Sequence, residues 1–221
     1  MNFGDGAERM GNELFLRTMS ATIFSGISVA AIVSGGIFFQ LLISVFTVLM
    51  LREWISINSG KKSHLFYFGI LYIIVPMLFW LHESLYFNDD LAINMLWILS
   101  IVCSCDTFAY FGGRLLKGPK LAPNISPGKT WSGTIIGSIG AFVISCIYIQ
   151  NFMLMRFSLI IASVFIILSS IFGDLLESKV KRILNIKDTG NILPGHGGSL
   201  DRLDSFLLAT YAFILIRNVV L

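Results

Sequence analysis

The run Phe157-Ser158-Leu159-Ile160-Ile161-Ala162-Ser163-Val164-Phe165-Ile166-Ile167-Leu168-Ser169-Ser170-Ile171-Phe172-Gly173 contains no charged residue. It ends abruptly in Asp174, with Glu177, Lys179, Lys181 and Arg182 close behind. A helix crosses a bilayer with about 20 mostly apolar residues, so this run reads as a membrane helix emerging into a charged segment. Six further stretches of the same kind lie at roughly 18–34, 37–53, 65–82, 92–112, 133–150 and 203–220. Only Gly35-Gly36 separates the first two, which suggests a tight helical hairpin there. Composition agrees: of 221 residues, 55% are hydrophobic and 13% charged, whereas a soluble domain carries about a quarter charged residues. The mean hydropathy is +0.80. The expected fold is therefore all-α, a polytopic integral membrane helical bundle of about seven transmembrane helices. It forms one membrane domain over 1–221, with N-terminal helices in 1–95 and the part that holds the most polar segments in 96–221.

Lys and Arg concentrate on the cytoplasmic side of membrane proteins. With the N-terminus cytoplasmic, fourteen of the 16 Lys and Arg residues fall in cytoplasmic segments, and only Arg156 and Arg217 fall opposite. That split supports both the span count and the orientation. The polar stretch before Arg17 lacks the basic start, short apolar run and cleavage site of a secretory signal; it is expected to stay on the protein as an interfacial helix. Cys103, Cys105 and Cys146 lie in or beside apolar runs and fit neither a disulfide framework nor a zinc site; they read as small buried residues. A net charge of +3 is too small to argue for a nucleic-acid partner, and the lipid bilayer is the partner the composition demands.

Two segments assigned to the cytoplasmic side, about 112–133 and 173–203, are dense in Gly, Pro, Lys, Arg and Asp. If 170–183 is helical, Asp174, Glu177, Ser178 and Lys181 share one face at spacings of three and four. Asp201, Asp204 and Ser205 likewise share a face of the last helix. Between them, Pro194-Gly195-His196-Gly197-Gly198 cannot continue a helix. Its glycines allow close backbone approach to a bulky anion, and the helix that follows would offer free N–H groups to phosphate. Carboxylates at the mouth of a membrane helix need a cation. Hard oxygen ligands such as Asp174 and Asp201 suit Mg²⁺, which fills the rest of its shell with water and phosphates. The surrounding Lys and Arg suit a nucleoside triphosphate. Asp106, an acid near the end of an apolar span, reads as part of the same site. Lys117 and Lys120 read either as charges that set topology or bind anionic lipid, or as part of the site, and Arg114 either as a topology charge or as part of the site.

These residues fall into a longer pattern. Ser178, Lys181-Arg182, Lys187-Asp188, Leu193-Pro194, His196-Gly197-Gly198 and Asp201-Arg202-Leu203-Asp204 resemble, in register, the signature of the phosphatidate cytidylyltransferases. The blocks Asp106-Thr107-Phe108-Ala109-Tyr110-Phe111-Gly112-Gly113-Arg114 and Ser126-Pro127-Gly128-Lys129-Thr130-Trp131 are similar to two others of that family. Two positions depart. Ser199 stands where the family usually has an apolar residue, and its hydroxyl suits a helix cap. Ser132 stands where a Glu commonly follows the Trp. The resemblance covers roughly Leu96 to the C-terminus, with the earlier half matching mainly in hydropathy. It implies CTP and phosphatidate as substrates, Mg²⁺ and a K⁺ ion as cofactors, and a homodimer. It also implies a metal centre on Asp174 and Asp201, with Lys181, Arg182, Lys187 and Arg202 on phosphates. Ser126, Lys129, Ser178, His196, Gly197 and Gly198 are implied as substrate contacts.

Other readings fit less well. Gly128-Lys129-Thr130 would be a P-loop only with a glycine at position 123, where Pro123 stands, and with a strand leading in. A CDP-alcohol phosphotransferase would need flanking residues that Asp201 and Asp204 lack. The same chemistry on another lipid phosphate, or a CTP-dependent lipid kinase, is the near rival. A transporter would place its charges near mid-membrane in broken helices, whereas here they gather in Gly-rich surface segments.

Overall fold

The computed structural model describes residues 19, 22–58, 64–86, 90–153, 156–190 and 197–220. Each predicted apolar stretch is helical within those residues. The order is α1 (Thr22–Ser34), α2 (Gly36–Ile57), α3 (His64–Leu85), α4 (Asp90–Leu116), β1 (Lys120–Ala122), β2 (Ser126–Thr130), α5 (Trp131–Phe152), α6 (Phe157–Leu184) and α7 (Leu200–Val220). Five of these, α2 to α6, are long and apolar enough to cross a membrane. The first expected span reaches only the shorter α1, and α7 opens on Asp201, Arg202 and Asp204. The break between α1 and α2 falls where the glycines stand: Gly35 and Gly36 both take positive φ, 62° and 50°, which glycine alone adopts without steric cost. The polar N-terminal stretch, expected to be an interfacial helix, lies outside the described residues, as do Leu193, Pro194 and His196 of the signature.

The bundle is built as membrane helices are, by close approach of small residues rather than by burying a single oily face. Along α5, Gly133, Gly137, Ala141, Ser145 and Ile149 recur every fourth residue and are buried. Ile135, Ile139, Val143 and Ile147 form the opposite, exposed stripe, the face a lipid would cover. The buried stripe lies against the backbone of α4: a Cβ on Gly133 would sit 2.6 Å from the Ala109 carbonyl oxygen, and one on Gly137 2.7 Å from that of Cys105. Trp97 Nε1 donates to Ser145 Oγ at 2.7 Å, and Ser145 is within 2.8 Å of Ser163 Oγ, linking α4, α5 and α6. On the other side, Trp80 of α3 stacks on Phe213 of α7 at 5.9 Å and donates to Thr210 Oγ1 at 3.2 Å.

Two features differ from the sequence reading. First, the segment 112–133 carries structure that the sequence reading did not place: α4 continues to Leu116, and β1 and β2 form an antiparallel hairpin pairing Lys120 with Thr130 and Ala122 with Ser126. Pro123, Pro127 and Gly128 in so short a stretch hid it, since these residues are poor strand formers. Thr130 then starts α5, its hydroxyl accepting from Gly133 N at 3.1 Å. Second, Cys103 is exposed rather than buried, while Cys105 is buried as expected.

Gly137→Leu is expected to overpack the α4–α5 seam at a cost of about 1–3 kcal/mol, seen as a lower melting temperature of the detergent-solubilised protein. Gly26→Ala, where nothing lies within 4 Å of the added carbon, serves as the control and should melt as the parent does.

Candidate active site

The charged end of the bundle collects the polar parts of both Gly-rich segments. On α4, Asp106, Tyr110, Gly113 and Arg114 recur at helical spacing and, with Lys117 just past the end of the helix, line one cavity of about 840 Å³, within the roughly 300–1,000 Å³ typical of ligand sites. The hairpin adds Lys120, Gly128, Lys129 and Thr130, and α6 adds Asp174. The cavity therefore carries four cations, Arg114, Lys117, Lys120 and Lys129, against two carboxylates, Asp106 and Asp174. Lys129 Nζ forms an ion pair with Asp174 Oδ2, and Ser178 Oγ donates to Asp174 Oδ1 at 3.4 Å. Arg182 Nε donates to the Ile125 carbonyl at 3.3 Å. These contacts dock the hairpin onto α6. Arg114 is steadied by Tyr110, whose hydroxyl accepts from its guanidinium at 2.7 Å.

One turn further along the same face of α6 lies a second group. Lys181 Nζ is 2.9 Å from Glu177 Oε2 and 3.0 Å from Asp201 Oδ1. Asp201 Oδ2 also accepts from the backbone N–H groups of Thr189 and Gly198, both at 2.9 Å. Gly197 takes φ 85°, and a Cβ there would come within 3.1 Å of Asp201 Oδ2. The predicted shared face of Asp174, Glu177, Ser178 and Lys181 is thus what joins the cavity to the second group.

Of the residues singled out in the sequence, Asp174 and Lys129 line the cavity, Ser178 touches Asp174, and Lys181, Asp201, Gly197 and Gly198 form the adjoining group. Ser126 sits half-buried on β2, while Arg182, Lys187 and Arg202 are exposed. His196 lies outside the described residues. One expectation fails at the start of α7. Its first N–H groups are not open to a phosphate: those of Ser199 and Leu200 donate to the Glu53 carboxylate at 2.8 and 2.9 Å. The Ser199 hydroxyl also turns to Glu53, donating to Oε2 at 3.0 Å. The reason is chemical. A buried carboxylate satisfies several N–H donors at once and compensates the positive end of a helix, so α2 supplies internally what an anion would have supplied. Sequence reasoning missed Glu53 because it is the one acid of an otherwise apolar helix, beside Arg52, and belongs to no motif. Tyr110 and Thr130 stood within the two quoted blocks but were given no role, although the spacing of 106, 110, 113 and 114 was there to be read.

Among the described residues, no three His, Cys, Asp or Glu side chains converge closely enough to hold a metal ion by themselves. The carboxylates present suit an ion that completes its shell with water and phosphate oxygens, as Mg²⁺ does. Glu177 Oε1 is buried and has no hydrogen-bond partner among the described residues, which marks a place where a further donor would be stabilising.

A cationic cavity edged by carboxylates, at the charged end of a membrane helical bundle, suits a substrate that carries phosphates. Residues 60–220 match the Cytidylyltransferase family, and the chain belongs to it. It is 37% identical over 208 residues to the phosphatidate cytidylyltransferase of Rickettsia typhi, covering 90% of each chain. It is 36% identical over 226 residues to that of Rickettsia bellii, covering 97% of this chain and 95% of the relative. A third, from Brucella abortus, is 36% identical over 164 residues, or 73% of this chain and 58% of the relative. The family match begins at residue 60 and the Rickettsia bellii relative aligns with 97% of this chain, so the likeness extends before Leu96.

Lys129→Gln removes the cation paired with Asp174 and leaves that carboxylate facing the cavity. A hydrogen bond to a charged group contributes about 1.5–3 kcal/mol, so CTP binding is expected to weaken at least tenfold, measured by equilibrium dialysis with labelled nucleotide.

Proposed function

We propose that the chain transfers the cytidylyl group of CTP to phosphatidate, giving CDP-diacylglycerol and pyrophosphate, at the cytoplasmic face of a bacterial cytoplasmic membrane. The observation that carries this reading is the Lys129–Asp174 pair inside a cavity of excess positive charge, in a chain similar along most of its length to proteins named for that reaction. The phosphate oxygen of the lipid attacks the α-phosphorus of CTP. A new P–O bond forms, the bond to the bridging oxygen breaks, and its electrons leave with pyrophosphate. The attacking oxygen is already ionised at neutral pH, so catalysis rests on alignment and charge neutralisation rather than on a strong base.

The residues divide that work. Arg114, Lys117, Lys120 and Lys129 neutralise phosphate oxygens and hold the reacting groups in line. Asp174 orients Lys129 and, with Asp201, would hold Mg²⁺, joined by K⁺; the metal would neutralise charge on the leaving group. Leu115, 78% exposed, and Trp131, 52% exposed, lie beside the cavity residues Arg114 and Thr130. The acyl chains of the lipid substrate can therefore stay in the bilayer while its headgroup enters. An N-terminus on the cytoplasmic side and a homodimer belong to the same proposal.

The test is synthesis of CDP-diacylglycerol by purified protein in liposomes, with CTP, phosphatidate and Mg²⁺. Wild type should form liponucleotide only when the lipid phosphate is present, and chelation with EDTA should stop it. Asp174→Asn and Asp201→Asn should each lower kcat by about 100-fold or more, the scale of losing one charge-stabilising group. Product formation without phosphatidate, or full activity in both variants, overturns the reading.

A further inference from the structure

We infer that Glu53, at the end of α2 and outside every motif named so far, is a positioning residue for the reaction: it holds the turn that sets Asp201. The inference rests on the proposed function, in which Asp201 serves the transfer.

Glu53 is 3% exposed, and both carboxylate oxygens face the start of α7. Oε1 accepts from Ser199 N at 2.8 Å; Oε2 accepts from Leu200 N at 2.9 Å and from Ser199 Oγ at 3.0 Å. Thr189 Oγ1 approaches Oε2 at 3.5 Å. The nearby glycines are shaped to this carboxylate. A Cβ on Gly190 would lie 2.9 Å from Oε1, and one on Gly198 2.8 Å from Oε2. Both positions need the absence of a side chain so that the acid can enter. A carboxylate buried this deeply is costly unless several donors meet it, and the first turn of a helix is the place where such donors stand free.

The same short stretch grips Asp201 from the other side. Thr189 offers its hydroxyl to Glu53 and its N–H to Asp201; Gly198 N binds Asp201, while the next two N–H groups bind Glu53. Two carboxylates from different helices thus hold consecutive peptide groups. Loosening Glu53 frees the peptides that fix Asp201, and Lys181 loses the geometry in which Asp201 shares it with Glu177. Glu53 touches neither the cavity nor any reacting atom, so its effect passes through Asp201.

Glu53→Gln keeps the size of the side chain but replaces an acceptor oxygen with an NH₂ donor, which must face the Ser199 or Leu200 N–H. In micelles this variant should melt within a few degrees of wild type. Hydrogen exchange at Gly198, Ser199 and Leu200 should quicken by about tenfold, and kcat should fall about 10–100-fold, as is typical when a group that orients a ligand is lost. KM for CTP should change by less than about threefold, because the cavity cations are untouched. Glu53→Asp, which restores the charge one methylene short, should recover part of kcat. Wild-type kcat and exchange in Glu53→Gln overturn the inference. So does an activity loss that merely follows the folded fraction. If Glu53→Gln does not fold, Ser199→Ala decides instead: it removes one donor to Glu53, and a kcat a few-fold lower with faster exchange at Leu200 supports the role, while parental values overturn it. A wild-type protein that makes no CDP-diacylglycerol would sink the proposed function, whereas the exchange data would still report whether Glu53 holds the turn.

Discussion

The ammonium of Lys181 lies within 3.0 Å of two carboxylates on two helices, and the charged end of the bundle is organised around keeping them matched. Near the membrane, water screens poorly, and an acid left without its cation costs several kcal/mol. Glu177 is one turn from Lys181 on α6, so that half of the bridge follows from helix geometry alone. Asp201 is different: it reaches Lys181 only if α7 starts at a particular height and rotation. Gly173 lets the helices close to that position, since a Cβ there would meet the Asp204 carbonyl oxygen at 2.8 Å. Tyr72 of α3 donates to the same carbonyl at 3.2 Å, so a third helix fixes the junction.

From this junction the rest of the site follows along α6. Asp174 stands two turns before Lys181 on the same face and meets Lys129 from the hairpin. One helix therefore carries both the acid of the cavity and the ammonium that binds α7. The hairpin in turn depends on α4 and α5 lying almost backbone to backbone. Thr130 both ends β2 and caps α5, and a Cβ on Gly113 would come 2.8 Å from its hydroxyl. Small residues in the apolar seam and charges at its end are parts of one arrangement: the first brings the helices close enough for the second to meet.

Much of this was legible in the sequence. Helix positions follow from the length of uncharged runs, which a bilayer enforces more strictly than water does. The face shared by Asp174, Glu177, Ser178 and Lys181 follows from spacing, and the chemistry from the signature around them. What was not legible depends on tertiary contact. Glu53 carries no local pattern; it matters only because α2 ends beside the first turn of α7, and helix adjacency is not written in periodicity. For the same reason, Gly198 reads as room for a ligand, although the structure gives that room to a side chain of the protein itself. The hairpin was hidden by residues that suit turns, in strands of three and five residues that exist because α4 and α5 bring their ends together.

Exposed apolar residues at Leu115 and Trp131 beside a cationic cavity bear on what concentration means for this enzyme. One substrate arrives from water in three dimensions, but the other travels within a sheet. For the lipid, the relevant quantity is its share of the membrane surface, not its amount per volume of solution. Adding inert lipid would dilute it for the enzyme even with every molecule still in the tube. Turnover would then follow the composition of the bilayer, which places this protein among catalysts that sense the make-up of the surface they inhabit.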